Sequence, residues 1–140
     1  MLTEKLADSK TGVVNIREQI DDQFFTPGPA REKTRPLILS VGLEQRDYRT
    51  LAAATETMDV DVAISAFSKD TKANQKHIPD PLPENMTMEF YPWTDLAQMY
   101  RDADLIVVPV FQNSYAAGIT SILEGMAAAR PVLALSLIHI

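Results

Sequence analysis

Short apolar runs separated by longer amphipathic stretches form the main pattern of the chain between residues 37 and 134. The clearest runs are continuously apolar and rich in β-branched residues, which is typical of strands buried on both faces of a parallel sheet. The predicted strands cover residues 37–41, 60–64, 86–90, 105–108 and 131–134. Helical periodicity lies between them, over residues 48–58, 96–102 and 118–129, with Asp95 as the predicted N-cap of the second helix. This alternation predicts an α/β fold with a doubly wound parallel sheet.

The predicted helix over residues 118–129 has two distinct ridges. Apolar side chains at the three-then-four spacing of one helical face predict a buried stripe. This stripe consists of Ile119, Ile122, Leu123 and Met126. Thr120, Ser121 and Glu124 form a second, polar ridge. The loop and the N-terminus of this helix are predicted to face a crevice.

The start of this helix has the chemistry of a phosphate site. The first turn of a helix leaves backbone N–H groups unpaired and has a partial positive charge, so it attracts anions. Gly118 allows a phosphate to approach the backbone without a Cβ in the way. Glu124 lies six residues further on, about 9 Å along the axis at the helical rise. That distance is suited to a carboxylate that accepts hydrogen bonds from ribose hydroxyls while the diphosphate lies at the helix tip, as in dinucleotide sites.

Residues 118–134, GITSILEGMAAARPVLA, resemble the donor-site motif of the retaining GT-B glycosyltransferases, glycosyl transferase group 1 (family 4). In that family a glycine-containing turn leads into a helix with Leu-Glu-Ala-Met-Ala, and Pro-Val follows. The resemblance implies that Gly118, Ile119 and Thr120 hold the donor diphosphate and that Glu124 holds the ribose. Ala116 stands where the family usually has a glutamate that contacts the donor sugar, so the resemblance does not predict the sugar.

Two other strand exits match the family. Residues 42–48 resemble its glycine-then-basic loop, in which basic side chains contact the diphosphate, and this implies donor contacts for Gly42 and Arg46. Arg46 is also the predicted catalytic residue, because its charge would stabilise the leaving diphosphate. The third strand exit contains Trp93, which the resemblance places beside the nucleobase.

The resemblance also implies a domain organisation. Residues 1–35 are interpreted as an interdomain passage and a Pro-rich linker, and residues 36–134 as a truncated, Rossmann-like nucleotide-sugar-binding domain, the incomplete C-terminal half of a GT-B fold. Residues 135–140 look like the translation of a sequencing adapter, although an ordinary apolar strand is the alternative. The family's N-terminal domain would then be missing in cis, and the fragment alone would be inactive.

Composition and charge argue against several classes of partner and site. The chain has 140 residues, a formal net charge of −6 and no cysteine. The negative charge argues against a nucleic-acid partner, and the absence of cysteine excludes disulfides and thiolate metal sites. No apolar run is long enough to span a membrane, and no signal-peptide pattern is present. We therefore expect a cytoplasmic protein with no metal and no cofactor, whose substrate is a nucleotide-diphosphate sugar.

Two alternatives stay open at the level of sequence. The first is a non-catalytic α/β nucleotide-binding or interaction module. The second is a GT-B-like sugar-nucleotide epimerase. A dinucleotide oxidoreductase is disfavoured, because the first strand is followed by Gly42-Leu-Glu-Gln and lacks the Gly-x-Gly-x-x-Gly fingerprint.

Overall fold

The computed structural model describes residues 14, 16–66, 77–112 and 117–135. These ranges contain five strands and three helices. In chain order they are β1 (Leu37–Val41), α1 (Tyr48–Thr55), β2 (Asp61–Ser65), β3 (Met86–Glu89), α2 (Trp93–Asp102), β4 (Leu105–Pro109), α3 (Ile119–Ala127) and β5 (Val132–Leu135). The predicted strands are confirmed to within two residues at each end. β5 extends one residue past the predicted domain boundary at 134.

The five strands form one parallel sheet in the order β3-β2-β1-β4-β5. The chain builds outward from β1 through β2 to β3, then crosses back to place β4 on the other side of β1. The point where the strand order reverses therefore lies between β1 and β4. In open α/β sheets this switch point leaves a crevice at the carboxyl ends of the two strands. The predicted doubly wound parallel α/β sheet is confirmed.

Both faces of the sheet are covered, because successive residues of the central strands pack into different cores. Ile38 joins the core beneath α1, whereas Leu39 joins the core beneath α2 and α3. In β4, Val107 faces the α1 side and Val108 the opposite side. A strand buried in this way is expected to be apolar along most of its length, which explains the nearly continuous runs in the sequence. Ser40 of β1 is a buried polar exception.

α2 begins three residues earlier than predicted. Its N-cap is Pro92, with no capping side chain, and Asp95 lies inside the first turn. The prediction of Asp95 as N-cap is wrong. The carboxylate still lies where the positive end of the helix dipole favours it.

α3 packs on a different face from the one predicted. Ser121, Glu124 and Gly125 are the buried residues of the helix, whereas Met126 is 62% exposed. A Cβ on Gly125 would lie 3.1 Å from Ile106 Cγ1, so the helix approaches β4 through its smallest residue. The predicted apolar stripe is therefore wrong as the buried face, because close approach and polar partners decide the packing.

The segment before β1 is attached to α2. Phe25 is buried in the core beneath α2 and α3, and Arg101 Nε donates to the Thr26 carbonyl at 3.0 Å. Arg31 and Lys33 bond to the C-terminal end of the same helix. Residues 1–13 of the predicted passage and residues 136–140 of the predicted tail lie outside the described residues. In the described ranges, no helix combines the length and hydrophobicity that a bilayer crossing requires.

Candidate functional site

A cavity of about 370 Å³ opens at the switch point, between the loop after β1 and the N-terminus of α3. Its lining residues come from these two chain segments. They are Gly42, Leu43, Glu44, Arg46, Ala117, Gly118, Thr120 and Ser121. Four residues with predicted donor contacts, distant in sequence, thus border one space. They are Gly42, Arg46, Gly118 and Thr120.

The loop after β1 is held in place by the residues that follow β4. Asp47 N donates to the Pro109 carbonyl at 2.6 Å, and Phe111 N donates to the Gln45 carbonyl at 3.0 Å. Arg46 pairs with Val110 in an antiparallel bridge between these two bonds. The loop is therefore fastened across the switch point, which fixes the backbone from which the Arg46 side chain extends.

Arg46 is buried, with only 6% of its surface exposed. Its Nε donates to the Val41 carbonyl at 3.2 Å and its Nη1 to the Glu44 carbonyl at 2.8 Å. These hydrogen bonds hold the guanidinium, which keeps its proton at any ordinary pH, at the cavity wall. Such a group attracts an anion more strongly than a surface arginine, because less water screens it.

Two glycines flank this guanidinium. A Cβ on Gly42 would lie 2.6 Å from Arg46 Nη2, and a Cβ on Gly118 would lie 3.5 Å from the same atom. Gly118 also has φ +86°, and a Cβ there would lie 2.7 Å from Val108 Cγ1. Side chains at these positions would clash with the arginine or with β4. Glycine is therefore the residue that lets both backbones approach the arginine.

The N-terminus of α3 borders the cavity. Gly118 is its N-cap and supplies no capping side chain. Ser121 Oγ donates to the Val41 carbonyl at 3.2 Å and ties the first turn to β1. Thr120 is exposed, and its Oγ1 lies 3.4 Å from Glu18 Oε1. Ile119 is the first helical residue, is half-buried and does not border the cavity, so its contact with the diphosphate stays a prediction.

Glu124 lies one turn deeper than the cavity wall and is only 6% exposed. Its Oε2 accepts a hydrogen bond from the Tyr100 hydroxyl at 2.6 Å. Burial raises the pKa of this carboxyl, and the hydrogen bond from Tyr100 opposes part of the rise. Glu124 does not line the 370 Å³ cavity, so its contact with a ribose stays a prediction.

Tyr100 is the residue that the sequence interpretation missed. It is fully buried, and burial followed by the neighbouring Glu124 raises the pKa of its hydroxyl. Ser121 and the charge of Arg46 act in the opposite direction on the same pKa. The hydroxyl therefore lies among the polar groups beneath the cavity. The signal in the sequence is the helical spacing of Leu96, Met99 and Tyr100, which puts them on one face of α2, but this spacing does not identify the partner of the hydroxyl.

A second, smaller cavity of about 190 Å³ adjoins the first, and both include Gly42 and Leu43. Its wall is mainly apolar and includes Phe90, Tyr91 and Trp93. Trp93 is 69% exposed, so its ring is available to a flat ligand. The Tyr48 hydroxyl donates to the Gly42 carbonyl and supports the strip of backbone shared by the two cavities.

The described residues contain no cluster of three or more His, Asp or Glu side chains arranged to hold a metal ion. Ala116, where the family usually has a sugar-binding glutamate, lies outside the described residues.

Comparison with known proteins identifies the architecture. No family model matches the chain, and no curated protein matches it. The structure is similar to the C-terminal domain of a glycosyl transferase group 1 family protein (LpcC) from Francisella tularensis, solved at 1.35 Å. The TM-score is 0.52 and the identity 14%, over 83% of this chain and 70% of that one. The fold is that of a glycosyltransferase C-terminal domain. At this identity the likeness establishes the fold and not the activity.

Proposed function

We propose that the chain is the donor-binding domain of a retaining glycosyltransferase that uses a nucleotide-diphosphate sugar. The decisive observation is the convergence of the buried Arg46 guanidinium and the N-terminus of α3 on one cavity at the switch point. Helix N-termini and fixed cations are two common means by which proteins hold phosphate groups, and here they border the same cavity. The fold is one in which ligands bind at this position.

The diphosphate would occupy the larger cavity. Gly42 and Gly118 let its oxygens approach the backbone, and Thr120 offers a hydroxyl donor at the rim. In the transfer step the bond between the sugar and the diphosphate breaks, so negative charge grows on the leaving diphosphate. Arg46 and the helix dipole would stabilise that charge, which is the electrostatic type of catalysis.

The nucleoside would extend from the diphosphate into the smaller cavity. The base would stack against the exposed ring of Trp93, while the ribose would lie between the two cavities and within reach of Glu124. The residues that bind the acceptor would belong to an N-terminal domain in cis, so we expect these 140 residues to bind the donor nucleotide but not to catalyse transfer. The cytoplasmic location expected from the sequence stays a prediction.

The proposal is tested by isothermal titration of the chain with UDP and with GDP. We expect binding of one of them, weakened about 10- to 100-fold by Arg46→Ala, because a hydrogen-bonded charge of this kind contributes roughly 1.5–3 kcal/mol. The matched control is Arg49→Ala, which removes an exposed arginine three residues further on. Absence of binding to either nucleotide by the folded wild-type chain would contradict the proposal, as would equal weakening in the two variants.

A further inference from the structure

The hydrogen bond between Tyr100 and Glu124 joins two buried side chains beneath the candidate site. The Tyr100 hydroxyl donates to Glu124 Oε2 at 2.6 Å, a short distance typical of an O–H group bonded to a carboxylate. Tyr100 is on α2 and Glu124 on α3, so the bond connects the two helices on this face of the sheet. A directional bond of this kind fixes the rotation of the carboxylate.

Tyr100 is itself held rigidly. Its ring is fully buried in the core beneath α2 and α3. The ring of Phe25 packs edge-on against it, with centroids 5.5 Å apart and planes at 85°. The position of the hydroxyl is therefore determined by the core and by the segment that precedes β1.

The bond uses only part of the acceptor capacity of Glu124. A carboxylate has two oxygens and about four lone-pair positions, and Tyr100 occupies one of them. Ser121 lies one turn before Glu124 on α3 and borders the larger cavity. The carboxylate is thus placed directly behind the wall of the cavity, with lone pairs left for another donor.

We propose that Tyr100 is a positioning residue for nucleotide recognition: its hydroxyl orients the Glu124 carboxylate so that the remaining lone pairs accept hydrogen bonds from a ribose. This inference rests on the proposed function and deepens it, because it assigns the selection of ribonucleotides to a pair of buried residues. Tyr100 acts through Glu124 and does not touch the ligand.

The electrostatics of the pair support this role. Burial raises the pKa of Glu124, which favours the protonated acid, and the hydrogen bond from Tyr100 opposes that rise. The ionised carboxylate only accepts hydrogen bonds, so it can accept one from each of two ribose hydroxyls. The protonated acid has an O–H group that is a donor, which reduces the number of hydrogen bonds it can accept. The tyrosine therefore favours both the orientation and the charge state that a ribose contact requires.

The test compares UDP with 2′-deoxy-UDP, or GDP with 2′-deoxy-GDP if the chain binds GDP, by isothermal titration. The quantity compared is the ratio of the dissociation constant of the deoxynucleotide to that of the ribonucleotide. For the wild-type chain we expect this ratio to be about ten or more, because the deoxynucleotide lacks a hydrogen bond to a charged group. In Tyr100→Phe we expect this ratio to fall to about threefold or less. General loosening of the fold would weaken both nucleotides together and leave the ratio unchanged.

The matched control is Thr55→Val, which removes a buried hydroxyl that borders neither cavity. Thr55 Oγ1 donates to the Leu51 carbonyl at 2.9 Å within α1, so its loss is expected to preserve the ratio. Phe25→Leu is the second variant, used if Tyr100→Phe does not fold. It keeps the hydroxyl but removes the ring that fixes it, and it should also reduce the ratio.

Each remaining outcome is decisive. A wild-type ratio near one, or an unchanged ratio in folded Tyr100→Phe, overturns the inference and leaves the proposed diphosphate site intact. An unchanged ratio in Phe25→Leu, when Tyr100→Phe does not fold, also overturns it. Absence of binding to both UDP and GDP overturns the proposed function, and the inference then falls with it.

Discussion

At the scale of single residues, the candidate site depends on the burial of one positively charged side chain, Arg46, in a chain whose net charge is negative. The formal net charge is −6, yet Arg46 is almost fully buried. The carbonyls of Val41 and Glu44 accept from its guanidinium and so offset the cost of removing it from water. Gly42 and Gly118 leave room for it. The guanidinium is thereby held at the wall of the larger cavity.

Glu124 provides a test at the same scale, through the dependence of stability on pH. Burial raises its pKa above the ordinary 4.5, so the folded state binds the proton more tightly than the unfolded state. Its contribution to stability is complete at pH values below 4.5 and is lost as the pH rises from there through the folded pKa.

We therefore expect Glu124→Gln to become more stable relative to wild type as the pH is raised from about 4.5 towards neutrality. The measurement is the free energy of unfolding in urea for both chains across this range. A difference between the two chains that stays constant with pH would show that the carboxyl is not linked to folding in this way.

At the scale of elements, the three helices begin in different ways. α1 has a side-chain cap: Asp47 Oδ1 accepts from Thr50 N at 3.0 Å, and Oδ2 accepts from Thr50 Oγ1 at 2.7 Å. α2 follows Pro92, which fixes its own φ and supplies no cap. α3 follows Gly118 and also has no side-chain cap. The helix that borders the candidate site is thus one whose N-terminus is open to a ligand.

Capping of α1 gives a prediction for this element. We expect Asp47→Ala to lower the free energy of unfolding by about 1 kcal/mol, because the N–H of Thr50 loses its acceptor. Asp47→Asn is the matched control and should retain most of the stability, since its amide oxygen can cap the helix equally well. Urea denaturation of the three chains measures the effect. Equal loss in both variants would mean that the charge, and not the cap, stabilises the helix.

At the scale of the whole molecule, the segment before β1 is fastened at the edge of the sheet opposite to the candidate site. Asp102, at the end of α2, accepts from Arg31 N at 2.8 Å and from Arg31 Nε at 2.6 Å. Gln98 Nε2 donates to the same carboxylate at 2.9 Å. Phe25 connects this segment to Tyr100 and hence to Glu124. The segment that precedes β1 is thereby part of the structure that supports the site.

Loss of this attachment should destabilise the molecule. Burial alone would raise the pKa of Asp102, but the hydrogen bonds from Arg31 and Gln98 and the charge of Arg31 outweigh it and hold the pKa below the ordinary 3.8. The carboxylate therefore contributes stability above pH 3.8 that is lost as the pH falls below it. For Asp102→Asn we expect a loss of roughly 1–3 kcal/mol at neutral pH, since hydrogen bonds to a charged group are removed.

Urea denaturation of Asp102→Asn measures this loss. The control is Asp59→Asn, because the Asp59 side chain is 91% exposed and lies 3.9 Å from Arg35. We expect no measurable change in that variant. Similar stability of the two variants would show that the attachment of the preceding segment contributes little to folding.

The sequence by itself determined the arrangement of the elements. Continuous apolar runs identify doubly covered strands, because each residue of such a strand meets one core or the other, and this rule is local. The glycines at 42 and 118 also predicted sites of close backbone approach, because glycine has no Cβ and adopts a positive φ without strain. These local signals were sufficient to predict the sheet and to select residues at its carboxyl edge.

Tertiary structure alone decided which side of α3 is buried, how far Arg46 is removed from water, and that Glu124 meets Tyr100. The physical reason is that a polar residue is buried when a partner is available, and its partners here come from distant parts of the chain. Val41 and Tyr100 are brought to Ser121 and Glu124 by the order of the strands. The period of a helix shows which residues share a face, but the surroundings determine which face packs inward.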